Sequence, residues 1–526
     1  MKRIVALALA IMMALSLCSF ASAESGKVQL TALFIAHPLT RSVTEMKWVQ
    51  ECADAAGVEV TWEQIYTDWD QLKTTRFAAG DIPDLLFNAT GDSDYTTYNG
   101  LFLELTPYIS EEATPNIWAM FTEEPDTLAL AKTLEGEIYG LPKFQGKWPD
   151  CNGVLFINKV WLDNLGLAVP TTLSELKTVL EAFKAQDANG NGNADDEIPM
   201  DFNSWFGGAY SLSNLIGSWG IQLTNWGTDA YFAEDGVIKN YAVDDRYKAM
   251  MKYLAGLYEE GLINENAITN DYSMFQSLSR GDADGNALVG VVYGWEETDK
   301  FGPTLYEQYI PFGPLTDDVD DLATSTPRVT YDFSGLNMSS NRVAVSAKCA
   351  DPVAALAFVD QFYSQTHSVE SLFGGIADGN IAQVGDNEYT VLDPPEGTDA
   401  GTWKWTSTFA DNGPMYIRRA TTINMAQDMT YAIQEREQYK DAIAAIDMDK
   451  EYYPQMFMRY TTDDQNTLAV LQAGITSITD SYWGLWLTGE ADIDDTWDDY
   501  VEQVNAAGLE QVLQIRQAAY DSYMGK

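Results

Sequence analysis

The sequence predicts an α/β protein of more than one domain, and three observations carry that prediction. Short β-prone runs alternate with helix-length runs from Val28 to Phe87, the order that builds a parallel sheet with helices on its faces. The chain has 526 residues, too many for a single core. At 46% hydrophobic and 12% aromatic it is too apolar to stay disordered.

The bulk numbers also exclude partners. There are 31 Lys and Arg against 78 Asp and Glu, a formal net charge of −47. Nucleic acid is ruled against, because phosphate binding needs a basic footprint. Anionic membrane surfaces are disfavoured by the same sign. Lys2 and Arg3, the apolar run Ile4 to Leu17 and Ala21-Ser22-Ala23 have the layout of a secretory leader, residues 1–23, cut after Ala23. The mature chain is therefore expected to be extracellular, at the cell surface or periplasmic. Cys18 raises a lipid anchor on the new N-terminus, but Leu17 stands where that signal places a small residue, which favours plain cleavage. Cys52, Cys151 and Cys349 are too few and too scattered for a disulfide framework, and no CxxC pair suggests zinc; they read as buried apolar residues.

The elements follow in order. Val28 to Ala36 is a strand that breaks at His37-Pro38-Leu39-Thr40. Val43, Met46, Trp48 and Val49 fall at helical spacing up to Gly57; Val58 to Ile65 is a second strand and Trp69 to Ala79 a helix. Asp84-Leu85-Leu86-Phe87 is a short buried strand, so His37 to Thr40 and Asn88 to Asp94 lie at the carboxyl ends of strands, where such sheets bind ligands. Glu137 to Pro142 and Val154 to Ile157 are further strands, and Asn158 to Leu165 is a helix. Thr172 and Glu175 form a capping box, with Leu173, Leu176, Val179, Leu180 and Phe183 as the apolar face of the next helix. Beyond lie a helix over Tyr247 to Tyr258, a strand over Leu288 to Tyr293, a strand over Val343 to Ser346 and a helix opened by Asp351-Pro352. Gly375 to Ala410 reads as loop-rich, and the last hundred or so residues as mainly helical.

One loop carries chemistry. In Asp187-Ala188-Asn189-Gly190-Asn191-Gly192-Asn193-Ala194-Asp195-Asp196-Glu197-Ile198-Pro199, side-chain oxygens recur at alternate positions and glycine stands sixth. A hard cation such as calcium wants six to eight oxygens, which a tight loop delivers in this way. The twelfth residue is Ile198 rather than the EF-hand glutamate, so Asp196 or Glu197 would have to close the shell. The competing reading is a polar turn, rich in these residues for conformational reasons alone.

Taken together, the chain resembles the extracellular solute-binding proteins of carbohydrate ABC importers, the group typified by lipoprotein LplA and the alginate-binding proteins. The resemblance rests on His37-Pro38-Leu39-Thr40, Trp62-Glu63-Gln64, Gly80-Asp81-Ile82-Pro83-Asp84 and Ile138-Tyr139-Gly140-Leu141-Pro142. It continues through Asn158-Lys159-Val160-Trp161-Leu162-Asp163, Gly166-Leu167, Pro170-Thr171-Thr172, the Asp187 loop and the C-terminal run Asp494-Asp495, Trp497 and Tyr500. The resemblance implies a two-lobed periplasmic-binding-protein-like fold of type II, maltose-binding-protein-like, hinged between lobes. It implies a first lobe of residues 24–142 with about 335–398, and a second of 143–334 with about 399–526. It also implies a structural calcium ion held by Asp187, Asn189, Asn191, the carbonyl of Asn193, Asp195 and Asp196. The extra residue between Asp196 and Ile198-Pro199 departs from that group's pattern.

Sugar recognition asks for aromatic faces over pyranose C–H surfaces, and for Asp, Asn and Gln against hydroxyls. The chain has 15 Trp and 28 Tyr, many in predicted loops. The best candidates are Trp205, Trp295 and Trp405, with Asn88 and Asp92 as polar partners; Trp69, Tyr95 and Trp148 stand behind them. Core packing is the competing reading for any one of these rings. His37 is a ligand candidate or a cap-like structural residue. The expected activity is hinge-closing capture of a sugar or oligosaccharide by a bacterial, monomeric, non-enzymatic protein that delivers it to ABC importer permease subunits. A secreted glycoside hydrolase would share the acidic aromatic cleft. However, no GxSxG, HExxH or P-loop appears, and the only histidines are His37 and His367. A carbohydrate-binding adhesin or sensor component is the third reading.

Overall fold

A computed structural model of the chain describes residues 26–146, 149, 151, 153–205, 210–224, 230–322, 326–331, 337–395, 400–425 and 428–525. The expected leader with Cys18, and Trp148, lie outside these residues.

The first lobe is built on a six-stranded sheet of order β14-β4-β11-β3-β1-β2. β1 (Val28–Ile35) and β2 (Val58–Ile65) run parallel in register, Val28 opposite Val58 and Ile35 opposite Ile65. The helix between them, Lys47–Ala56, buries Trp48, Val49, Cys52 and Ala53. It stops at Gly57, whose φ of 68° lets its N–H turn back to the carbonyls of Ala53 and Asp54. β3 (Leu85–Phe87) pairs parallel with β1 and is buried throughout. β4 (Gly140–Gln145) does not reach β3, because β11 (Met338–Val345) lies between them, antiparallel to both. The sheet is therefore mixed rather than purely parallel. β11 arrives after the chain has already built the sheet of the second lobe, and no short sequence window contains that return.

The second lobe holds a four-stranded sheet of order β10-β5-β9-β6. β5 (Val154–Asn158) pairs antiparallel with β9 (Val289–Gly294), and β6 (Ile198–Asp201) pairs parallel with β9. β10 (Tyr309–Phe312) closes the other edge. All five predicted apolar residues of helix Leu173–Ala185 are buried. Phe183 lies so close to β9 that a Cβ on Gly290 would sit 2.5 Å from its ring. The capping box is only half as predicted: Thr172 accepts the Glu175 N–H, but the Glu175 carboxylate reaches past it to the N–H and hydroxyl of Thr171. A hairpin of β7 (Tyr231–Glu234) and β8 (Val237–Asn240) and the helices Thr462–Leu487, Ile493–Ala506 and Leu509–Tyr523 complete this lobe.

The stretch expected to be loop-rich contains a hairpin, β12 (Ile381–Gly385) and β13 (Glu388–Val391), and a helix, Ala400–Thr406. Only Ile381 and Tyr389 of the hairpin are deeply buried, so its alternation is weak in the sequence. β14 (Tyr416–Ile417) adds parallel to β4 in the first sheet, and β15 (Thr422–Asn424) pairs with β13. The lobe boundary at about residue 398 therefore falls too early, and the one at residue 142 cuts β4. The chain passes between lobes after β4, before β11 and after β15. Cys52, Cys151 and Cys349 are free and buried. Trp48, Trp161, Trp219 and Trp486 are fully buried, so part of the tryptophan excess goes to the core.

Candidate functional site

The carboxyl edge of the first sheet gathers four of the predicted residues. Asn88 follows β3 in the left-handed region at φ 54°. Its amide donates to the Ile35 carbonyl at 3.1 Å and its oxygen accepts from Arg342 at 2.6 Å. Arg342 comes from a bulge, since the β11–β4 register slips between Ser339 and Val343 with Asn341 at φ 56°. The Asn341 amide donates to Asp92 at 2.6 Å and its oxygen accepts the Tyr95 hydroxyl at 2.9 Å. Gly140 makes this fit possible: a Cβ there would stand 2.2 Å from Asn341 Oδ1 and 2.3 Å from the Tyr95 hydroxyl. Trp69 donates its indole N–H to Ala89 at 2.9 Å and packs edge-on to Phe77, within the core. Trp69 and Tyr95 thus shape this edge from beneath, while Asp92 is exposed on it.

His37 and Trp405 are brought together, their rings stacked with centroids 4.1 Å apart and 24° between planes. Trp405 is held there by the Thr40 hydroxyl on its carbonyl at 3.0 Å. Nδ1 of His37 accepts the Leu39 N–H at 3.2 Å, a local cap. Partial burial lowers the His37 pKa, so the ring is neutral at pH 7. Beside this pair, Lys143 and Lys404 both reach Asp411, at 3.3 Å each. Sequence reading missed Lys143, Arg342, Lys404 and Asp411. The only local signal is a lysine and a glutamine, Lys143 and Gln145, in a strand buried at every position.

In the second lobe, β6 leads into Trp205, whose ring stacks on Trp483 at 4.9 Å and 4°. The two rings wall a cavity of about 510 Å³, lined also by Asn240, Gln472, Thr476, Thr479 and Asp480. Tyr247 accepts the Trp205 indole N–H at 3.1 Å and fixes that ring. Trp483 was missed because it lies inside a long helix, where a tryptophan reads as core. Trp295 follows β9, and the Arg436 guanidinium lies 4.6 Å from the centre of its ring. Next to it Glu296 caps the helix Glu297–Leu305, and Glu435 accepts the Glu297 N–H at 2.9 Å. Burial, with the like charge of Glu297, pushes Glu435 up to about 8; Glu297 rises to about 7, again first through burial.

The Asp187 loop is wound on its own side chains. Asn189, Asn191 and Asn193 each accept the N–H two residues on, and Asp187 Oδ2 accepts the Gly192 N–H at 2.9 Å. Glu197 folds back, its Oε1 accepting the N–H groups of Ala188 and Asn189. Asp196 accepts the side-chain amides of Asn189 and Asn191. The other oxygens of Asp187 and Glu197 are buried with no hydrogen-bond donor. Two buried carboxylate oxygens without donors fit a hard cation, which would supply the missing positive charge. No three His, Cys, Asp or Glu among the described residues converge to hold a metal, so amide and carbonyl oxygens would have to complete the set.

Two α/β lobes joined by crossing strands, with aromatic and polar groups at the carboxyl ends of both sheets, describe a solute-binding protein. Residues 40–366 match the family model described as bacterial extracellular solute-binding protein, and the chain belongs to that family. A relative in Streptococcus pneumoniae, named fructooligosaccharide ABC transporter substrate-binding protein FusA, is 26% identical over 502 residues, 90% of this chain and 86% of that one. A solved structure of an HMO-binding, ABC-transporter-associated solute-binding protein from Bifidobacterium longum infantis is 30% identical. It covers 95% of this chain and 99% of its own with a TM-score of 0.86. FusA itself, solved as an EF-hand mutant in complex with fructo-nystose, shares the fold at a TM-score of 0.79 and 24% identity, over 94% of this chain and 99% of that one. Among the described residues no helix is long and apolar enough to cross a membrane.

Proposed function

We propose that this chain captures an oligosaccharide between its lobes and presents the closed form to the permease of an ABC importer. The observation that carries the reading is the Trp205–Trp483 pair walling a cavity lined by Asn240, Gln472, Thr476 and Asp480. Flat apolar faces beside amide, hydroxyl and carboxylate groups are what a pyranose or furanose presents a complement to. The relatives named for fructooligosaccharide and HMO binding support the ligand class and the transporter partner. Ligand contacts made with both lobes exist only when these are closed, so binding shifts the open–closed equilibrium. Isothermal titration over an oligosaccharide panel, with X-ray scattering of the same samples, tests this. A binding sugar that leaves the scattering radius unchanged would refute closure.

The chain acts by binding alone, and incubation with the bound sugar should release no shorter products. It works as a monomer, which sedimentation would check. Export by a leader ending at Ala23, with Cys18 removed rather than lipidated, predicts a mature N-terminus at Glu24 by mass spectrometry. The Asp187 loop holds a structural calcium ion, with Asp187, Asn189, Asn191, the carbonyl of Asn193 and Asp195 as donors. Glu197 closes the shell in preference to Asp196, because its second oxygen is buried without a donor whereas both Asp196 oxygens are engaged.

A further inference from the structure

Helix Leu173–Ala185 runs between two acidic loops. The Asp187 loop follows its last turn, and Asp317-Asp318-Val319-Asp320-Asp321, from the segment after β10, lies across its first turn. Backbone bonds fix that second placement. The Thr316 N–H donates to the Thr171 carbonyl at 3.0 Å, and the Thr316 carbonyl accepts the Leu173 N–H at 3.1 Å. Asp318 then gives both oxygens to Ser174, one accepting its N–H at 2.9 Å and the other its hydroxyl at 2.5 Å. Asp320 Oδ1 accepts the Leu322 N–H at 2.7 Å, and its Oδ2 accepts the indole N–H of the fully buried Trp219 at 2.9 Å.

Asp317 is the residue this wiring leaves short. It is 3% exposed; its Oδ1 accepts the Val319 N–H at 3.0 Å, while its Oδ2 is buried with no hydrogen-bond donor. What Asp317 meets instead is the Asp320 carboxyl group, side chain to side chain. Two carboxylates in contact need a proton or a cation between them. Burial raises the Asp317 pKa first, and the charges of Asp320 and Asp318 raise it further. Among the described residues no lysine or arginine pairs with Asp317, Asp318 or Asp320. The other side of the loop is open to solvent, since Asp318 and Val319 are exposed and Asp320 is half-buried.

We propose that Asp317 and Asp320 hold a hard divalent cation of the calcium class, in a second site that pins this loop to the start of the helix and to Trp219. Only two carboxylates converge there, so carbonyl and water oxygens complete the shell. With so few charged ligands the affinity falls at the weak end of protein calcium sites, about 10⁻⁴–10⁻³ M. A divalent ion leaves the three carboxylates of Asp317, Asp318 and Asp320 with a net negative charge, the sign that the N-terminus of a helix favours. Neither the saccharide reading nor the calcium assigned to the Asp187 loop is needed for this site.

The experiment titrates chelator-stripped, full-length mature protein with terbium, a hard ion that takes calcium's ligands and emits when a nearby indole is excited. Trp219, bonded to Asp320, is placed to excite it. Calcium should displace the terbium. Asp317→Asn, nearly the same size, should lower the emission and weaken calcium at this site at least about tenfold, as loss of a charged ligand implies. Asp187→Ala silences the other loop and should leave the Asp317 component in place. In that variant millimolar calcium should raise the melting temperature, and adding Asp317→Asn should abolish the rise. If Asp187→Ala does not fold, calcium counted by equilibrium dialysis decides, and Asp317→Asn should hold one ion fewer than the parent. Emission and ion count that are equal in parent and Asp317→Asn overturn the site and leave a shared proton between the two carboxyl groups. Loss of all emission in folded Asp187→Ala also overturns it. Emission that survives Asp187→Ala unchanged but vanishes in Asp317→Asn upholds this site and removes the ion from the Asp187 loop instead.

Discussion

Gly140→Ala asks for one methyl group where the site has no room. The added Cβ would lie 2.2 Å from Asn341 Oδ1, 2.3 Å from the Tyr95 hydroxyl and 3.1 Å from Asn341 Cγ. Neither neighbour can simply step aside, since both are at least nine-tenths buried and each holds the other by a 2.9 Å hydrogen bond. Separating them loses that bond, about 1 kcal/mol, and overpacking adds about 1–3 kcal/mol, for roughly 2–4 kcal/mol in total. The shift also loosens the bulge that aims Arg342 at Asn88, so saccharide affinity should fall with stability. Urea unfolding followed by circular dichroism measures the cost, with Gly484→Ala as the control. Gly484 lies in helix Thr462–Leu487 with no atom within 4 Å of the added carbon, so alanine there should stabilise by about 0.5–1 kcal/mol. If Gly140→Ala costs less than about 0.5 kcal/mol, on the same scale, the bulge is not held as described.

Three further outcomes are expected. Glu435 has a folded pKa of about 8 against 4.5 for the free group, so the folded state keeps its proton longer. The charge it must bury above that range therefore costs nothing below about pH 4.5, and its destabilising effect grows as pH rises from about 4.5 to about 8; Glu435→Gln should be more stable than the parent at pH 8 by on the order of 2–4 kcal/mol, with no gap at pH 4, and a pH-independent gap would contradict this. Chelation should lower the melting temperature and leave ligand preference intact, since calcium at a hundredfold excess over its Kd stabilises by about 2.7 kcal/mol; Glu197→Gln should weaken calcium affinity more than Asp196→Asn, and the reverse order would move the closing ligand. Trp483→Ala removes one wall of the cavity and should reduce sugar affinity by roughly tenfold in calorimetry, and an unchanged Kd would take that cavity out of the site.

What the sequence revealed was local. The β1–β3 alternation, the buried face of helix Leu173–Ala185 and the oxygen spacing of the Asp187 loop all sit within windows short enough for periodicity to register. What it hid was long-range. β11 enters between β3 and β4 from residue 338, and its bulge delivers Asn341 and Arg342 to partners far back in the chain. Lys143, Arg342, Lys404 and Asp411 carry no common motif, because three separate segments supply them. Trp483 was masked by its helix; half-buried and stacked on Trp205, it differs in the structure from the core residue Trp486 three positions on. Which oxygens of Asp196 and Glu197 have hydrogen-bond donors, the observation behind the proposed closing ligand, is not encoded in their spacing.

Hinge closure requires that each lobe keep its shape while their angle changes, and the site residues are wired for that. Asn88, Asp92, Tyr95, Asn341 and Arg342 bond within the first lobe; Trp205 contacts both Tyr247 and Trp483 within the second. Besides the covalent crossings, Arg459 ties the lobes together: it follows the last crossing, yet its Nε donates to the Lys132 carbonyl at 2.9 Å and its Nη2 to that of Leu130 at 2.5 Å. Its remaining bonds, to the carbonyls of Met456 and Met458, stay in its own loop. Arg459→Met should therefore cost little within either lobe but free the angle between them. The unliganded scattering radius should change, and affinity should fall by roughly three- to tenfold, because binding must then order a looser pair of lobes. If radius and affinity both match the parent, Arg459 serves only its own loop, and the angle is set by the crossing strands alone.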